Sequence, residues 1–242
     1  MEWRDEAIIL SVRGHGETSA IAEAFCAEHG RVMGLVRGGR SRTSRPMLQP
    51  GNLVSVTWRA RLEEHLGNFT LEPLNLRAGL IIENALRLSG LSSLTCLAQV
   101  LPEREPHPKL YDAMRVVLET IDDDHVWPAL MVRWEMGLLD ELGFGLDLST
   151  CVATGSVEEL IYVSPRSGRA VSADAGKPYH ERLFGLPGFL RGESGAPLQD
   201  VMAGLALTGH FLERHVLGPR NMVMPQGRAM MQRALMQLMA AA

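Results

Sequence analysis

The feature that most constrains this chain is a change in the period of its apolar residues near position 76. Before that point the clearest pattern has a period of two: Val54, Val56 and Trp58 alternate with Ser55 and Thr57, as expected of a strand with one buried face. AIILSVR is a further short apolar run, and SAIAEAFCAEHGRVMGLVRGG reads as two strands joined at His29-Gly30. The composition of SAIAEAFCAE also suits a helix, but its bracketing by Gly16 and Gly30 favours strand. With a fifth strand at Asn68 to Leu74, the pattern predicts a small closed barrel of the OB type over residues 1–76.

After Leu76 the apolar residues recur at helical spacing. LRAGLIIENALRLSGLSSLTCLAQVL is read as two helices jointed at Gly90. HPKLYDAMRVVLETI and VWPALMVRWEMGLLDELG follow as amphipathic helices, the second stopped by Gly143. Residues 145–195 lose this periodicity and predict an insert with a hairpin around SPRSG, between LIYV and RAVS. Helices are expected again over Leu198–Val216 and Gly227–Leu238. The expectation is an α+β chain with a five-stranded OB-fold barrel over 1–76 and a mainly helical domain over 77–242.

Composition narrows the setting. An apolar content of 46% over 242 residues supports buried cores, and no run of about 18 apolar residues suggests a membrane span. The charged opening MEWRDEAIIL is unlike a signal peptide, and three widely spaced cysteines, Cys26, Cys96 and Cys151, fit a reducing compartment. A cytoplasmic, nucleoid-associated protein is expected.

The net charge of −4 conceals a division along the chain. From Arg31 to Arg61 there are seven arginines (Arg31, Arg37, Arg40, Arg42, Arg45, Arg59 and Arg61) and no carboxylate, whereas Leu66 to Thr150 holds thirteen acidic residues against six basic ones. The loop VRGGRSRTSRPMLQPG, with glycine and serine to permit mobility, suits phosphate. The guanidinium fork bonds phosphate oxygens in pairs and stacks on exposed bases. Trp58 on the adjoining strand is either core or a base-stacking platform.

No nucleotide-binding, nucleophile-elbow or HExxH motif is present, so neither catalysis nor a cofactor is expected. Asp122, Asp123 and Asp124 fit a magnesium-dependent nuclease less well than a solvated turn. A protein-only scaffold is the remaining alternative. For partner binding, the segment after Glu213 offers Arg214, Arg220, Arg228 and Arg233 among six methionines, with Arg133 on a separate helix. Arg133, Arg214 and Arg220 are the candidate rim cations.

The stretches MEWRDEAIILSVRGHGETSAIAEAF, EHGRVMGLVRGGRSR and LQPGNLVSVTWRARLEEHLGNFTLEP, followed by RWEMGLLDELGFGLDLSTC and LIYVSPRSGRAV, resemble the RecO family of bacterial recombination and repair proteins. The resemblance implies an N-terminal OB-fold and a helical C-terminal domain. It also implies binding of single- and double-stranded DNA, annealing of complementary strands, and partnership with RecR and with the C-terminal tail of single-stranded DNA-binding protein. Part of that family carries a zinc ribbon in the insert. Here the matching positions are Cys151, Thr154, Ser172 and Ala175, so a degenerate ribbon without metal is expected, with His180 as the one conceivable further ligand.

Overall fold

The computed structural model describes residues 1–241, which fall into two compact units, Met1–Leu118 and a second beginning at Glu119. The first unit is built on five strands: β1 (Glu2–His15), β2 (Ser19–Cys26), β3 (Gly30–Val36), β4 (Leu53–Arg59) and β5 (Asn68–Asn75). They close into a barrel in the order β1-β2-β3-β5-β4.

Closure depends on β1 serving two neighbours. Its first half pairs antiparallel with β4 (Trp3 opposite Trp58) and its second half with β2 (Val12 opposite Ala22). The register shift between Ile9 and Ser11 provides the bend that this change of partner requires. A single parallel contact, Leu35 opposite Asn68, joins β3 to β5 and completes the ring.

The period-two pattern is realised most cleanly in β3, where Gly30, Val32, Gly34 and Val36 are buried and the intervening residues are not. Gly34 is required by close approach: a Cβ there would lie 2.5 Å from the ring of Phe69. The β2–β3 turn is fastened by Asp5, whose Oδ2 accepts hydrogen bonds from the backbone N–H groups of Glu28 and His29.

The strands give way to a short helix α1 (Ala78–Ile81) and then α2 (Ala85–Ala98) and α3 (Pro108–Glu119). Gly90 is not the expected joint. It lies buried inside an unbroken α2, and the break falls earlier, where the Asn84 side chain caps α2 by accepting from Arg87 N–H at 3.1 Å. A helical glycine costs about 1 kcal/mol, which burial of this face offsets. The compact unit runs beyond the barrel because α2 packs on β1 and Tyr111 of α3 meets Phe25 of β2 edge to face, with centroids 5.6 Å apart.

In the second unit, α4 (Trp127–Glu141) packs on α6 (Leu198–Phe211), which also contacts α7 (Gln226–Ala241). Gly143 follows α4 with φ +82°, a backbone that glycine adopts without a Cβ clash. Between α4 and α6, β6 (Leu160–Val163) and β7 (Ala170–Ser172) form the expected hairpin, then comes one turn of helix, α5 (Ala173–Gly176). β8 (Phe184–Gly185) completes a three-stranded sheet in the order β7-β6-β8. Among the described residues no helix is long and apolar enough to cross a membrane.

Candidate nucleic-acid interface

The arginine-rich loop joins β3 to β4 and is a series of turns with a fixed base. Leu48 is buried, and Asn52, fully buried, donates from Nδ2 to the carbonyls of Pro46 (2.7 Å) and Met47 (3.2 Å). Its Oδ1 accepts from the backbone of Ala78 at 3.1 Å. The serines expected to loosen the loop instead bond to one another, Ser41 Oγ to Ser44 Oγ at 3.0 Å. The loop is tied to the β1–β2 turn by Arg40 N–H, which donates to the Thr18 carbonyl at 3.0 Å, and Arg37, Arg40, Arg42 and Arg45 are all exposed.

The seven arginines do not form one set in space. Arg40 donates to the Gly16 carbonyl at 2.9 Å, while the side chains of Arg37, Arg42, Arg45 and Arg61 have no hydrogen-bond or ion-pair partner among the described residues. Arg59 is paired with Glu2 at 2.7 Å. The Arg59 hydrogen bond holds the Glu2 carboxyl below its ordinary value, but both groups are exposed and solvent screens the pair. Arg31 differs: it is largely buried, bonded to the Glu23 carboxylate, and donates from Nε to the Leu101 carbonyl at 2.8 Å. These contacts tie β3 to Glu23 on β2 and to the segment that follows α2, and they leave Arg31 less open to solvent than the loop arginines.

Trp58 takes the core role. It is 2% exposed, its Nε1 donates to the Leu66 carbonyl at 3.0 Å, and Trp3 stacks on it with centroids 5.5 Å apart. Its surroundings hold a residue that sequence reasoning passed over. Arg104 sits 5.9 Å from the Trp58 ring centroid, and its guanidinium is fixed by the carbonyl of His65 at 2.8 Å. Nothing in the local sequence marks Arg104, because its partners are about forty positions away.

Within the second unit, Arg133 donates to the Phe189 carbonyl at 2.7 Å, Arg214 to Pro165 at 2.9 Å and Arg220 to Val216 at 3.2 Å. Arg228, read with them as part of a basic tail, is instead buried against Glu135. Asp123 and Asp124 satisfy the turn before α4, accepting from His125 N–H (3.0 Å) and Trp127 Nε1 (3.2 Å).

The donor set of the insert does not fit zinc. Cys151 supplies one sulfur, and Ser172 occupies the space beside it, donating to Sγ from both its N–H (3.3 Å) and its hydroxyl (3.4 Å). Burial pushes the Cys151 thiol up, but the donors from Ser172, Thr154 and the backbone prevail and bring it to about 6. His180 is exposed, with Nδ1 3.1 Å from the Lys177 carbonyl. Among the described residues no three His, Cys, Asp or Glu side chains are grouped to hold a metal ion.

The family model for the recombination protein O N-terminal domain matches residues 1–77, and that for its C-terminal domain matches residues 83–222. The chain is 52% identical over 231 residues to the DNA repair protein RecO of Beijerinckia indica, covering 94% of this chain and 92% of the relative. It is 53% identical over 222 residues to the protein of the same name from Sinorhizobium medicae, covering 91% and 89%. The corresponding Brucella abortus protein is 49% identical over 231 residues, covering 95% and 94%. With both halves of the chain matched and the alignments running nearly end to end, this protein belongs to the recombination protein O family of DNA repair proteins.

Proposed function

We propose that this protein is a non-catalytic, DNA-binding recombination mediator. In this reading the barrel, residues 1–76, binds single- and double-stranded DNA and promotes annealing of complementary strands. The remainder of the chain helps to load a recombinase onto gaps coated by single-stranded DNA-binding protein. The observation that carries it is the rigidly based loop whose arginines at 37, 40, 42 and 45 face solvent with no carboxylate bonded to them. Such guanidinium groups gain most from phosphate, because each contact releases condensed counterions. Arg59, which lines a cleft with Arg37, joins this surface by exchanging Glu2 for a phosphate oxygen, and exposed Arg61 is assigned to it as a further phosphate contact. The relatives' shared designation as DNA repair proteins agrees with this assignment.

RecR and the acidic C-terminal tail of single-stranded DNA-binding protein are the proposed protein partners, with Arg133, Arg214 and Arg220 as the cations offered to a terminal carboxylate. The insert is read as a zinc ribbon that has lost its metal, the Cys151–Ser172 hydrogen bonds replacing the ligand bonds.

The test is fluorescence anisotropy of a labelled single-stranded oligonucleotide over a salt series, comparing wild type with Arg40→Ala/Arg42→Ala/Arg45→Ala. Loss of three phosphate contacts is expected to make the slope of log K against log salt shallower by about 2, at about 0.7 per contact on a single strand. Equal slopes for the two proteins would move the activity off this loop and leave the scaffold reading.

A further inference from the structure

The arginine loop has two sides, and each side lines a cleft of its own. One cleft, about 570 Å³, lies between the loop and the end of the β1–β2 hairpin, with Gly14 and Gly16 on one wall and Arg40 and Arg45 on the other. The second, about 530 Å³, lies between the loop and the β4–β5 face, with Arg37 and Ser44 opposite Arg59, Asn68 and Thr70. The two clefts share no lining residue, each presents two guanidinium groups, and neither is lined by a carboxylate.

We infer that the two clefts hold two separate DNA strands, one on each side of the arginine loop, which stands between them as a cationic wall. The inference rests on the DNA-binding reading above and assigns each strand its own pair of arginines. The wall is fixed at its base by buried Leu48 and by the Asn52 hydrogen bonds, so it stays upright between the clefts. A single strand passing from one cleft to the other would have to climb over its exposed tip, Ser41–Thr43. Two backbones on opposite sides have positive charge interposed between their phosphates, which lowers the repulsion opposing their approach. In the first cleft the Arg40 guanidinium reaches across to the Gly16 carbonyl at 2.9 Å, and a strand entering there exchanges that bond for one to phosphate. In the second, Asn68 and Thr70 add neutral polar groups beside the guanidiniums. Occupying the second cleft displaces Glu2 from Arg59, an exposed pair that gives way at little cost.

The experiment uses the full chain, short non-complementary oligonucleotides carrying donor and acceptor dyes, and the variants Arg40→Ala/Arg45→Ala and Arg37→Ala/Arg59→Ala. All four side chains are exposed, so far-ultraviolet circular dichroism is expected to be unchanged. Native mass spectrometry should find two oligonucleotides per wild-type chain and one per chain of either variant, and energy transfer should be present in wild type and lost in both variants. One strand per wild-type chain, or two strands retained by either variant, would overturn the inference while leaving DNA binding intact. Absence of any DNA binding by wild type would overturn it together with the reading on which it rests.

Discussion

Arg228 and Glu135 form a two-pronged pair inside the second unit, with Nε 2.8 Å from Oε1 and Nη2 2.9 Å from Oε2. The arginine is 3% exposed and the glutamate 0%, and their residual hydrogen-bonding capacity is met by Thr208 and by the Leu205 carbonyl at 2.6 Å. The pair ties α4, α6 and α7 together at one point. A Cβ at Gly209 would come within 2.8 Å of the guanidinium, so the channel that admits Arg228 depends on that glycine.

Removing one partner leaves the other charged in an apolar interior. Glu135→Ala or Arg228→Ala is expected to lower stability by about 3–5 kcal/mol in urea unfolding, whereas the double replacement Glu135→Leu/Arg228→Met should cost far less than either. Single and double variants of equal stability would show that the pair is not desolvated in solution.

Arg31 and Arg42 lie eleven positions apart in the same acid-free stretch and should respond oppositely. Arg31→Ala breaks the bond to Glu23 and the Leu101 carbonyl, so the melting temperature should fall while the salt dependence of DNA binding stays unchanged. Arg42→Ala should leave the melting temperature alone and make the salt slope shallower by about 0.7 to 1. An exchange of these two phenotypes would refute this division between a packing and a binding arginine.

The three thiols are sorted by access. Cys96 is exposed, whereas Cys26 and Cys151 are buried. Iodoacetamide applied to the native protein at pH 8 should modify Cys96 first and reach the other two at the rate of unfolding, with peptide mass spectrometry as the readout. Cys151 should remain protected although hydrogen bonds favour its thiolate, because attack requires contact with a sulfur that is covered. Early labelling at Cys151 would mean that the insert opens readily.

His215 stacks between Phe144, at 5.1 Å, and Phe211, at 6.0 Å. Burial, with the neighbouring positive charge of Arg214 and of His210 when protonated, holds its imidazole below the ordinary value of 6.5. The folded state thus binds this proton less readily than the unfolded chain. The stabilising contribution is complete above pH 6.5 and is lost as pH falls through the lowered folded value. Urea midpoints measured between pH 7.5 and 5 should drop further for wild type than for His215→Phe. Parallel curves would remove His215 from the acid response.

Much of this protein is settled by local pattern. The alternation of Val54, Val56 and Trp58, the bracketing glycines around β2 and the helical spacing after Leu76 specify strands and helices through side-chain period alone, which neighbours along the chain decide. The exposed loop arginines were legible for the same reason, since a loop tip has few contacts to alter what its composition offers. Where the chain folds back on itself, pattern gave no guidance. Gly90 remained helical because its face is buried, and Trp58 became core because Trp3 and Arg104 close over it. An acid-free stretch of sequence is likewise not acid-free in space: Glu23 and Glu103 reach Arg31, Glu2 reaches Arg59, and Glu135 claims Arg228 from 93 positions away. Sequence determined which segments are strand, helix and cationic loop, because those follow from local steric and hydrophobic period. Tertiary structure decided which arginines are free to meet a ligand, because a charge is neutralised by whatever lies within a few ångströms, however distant along the chain.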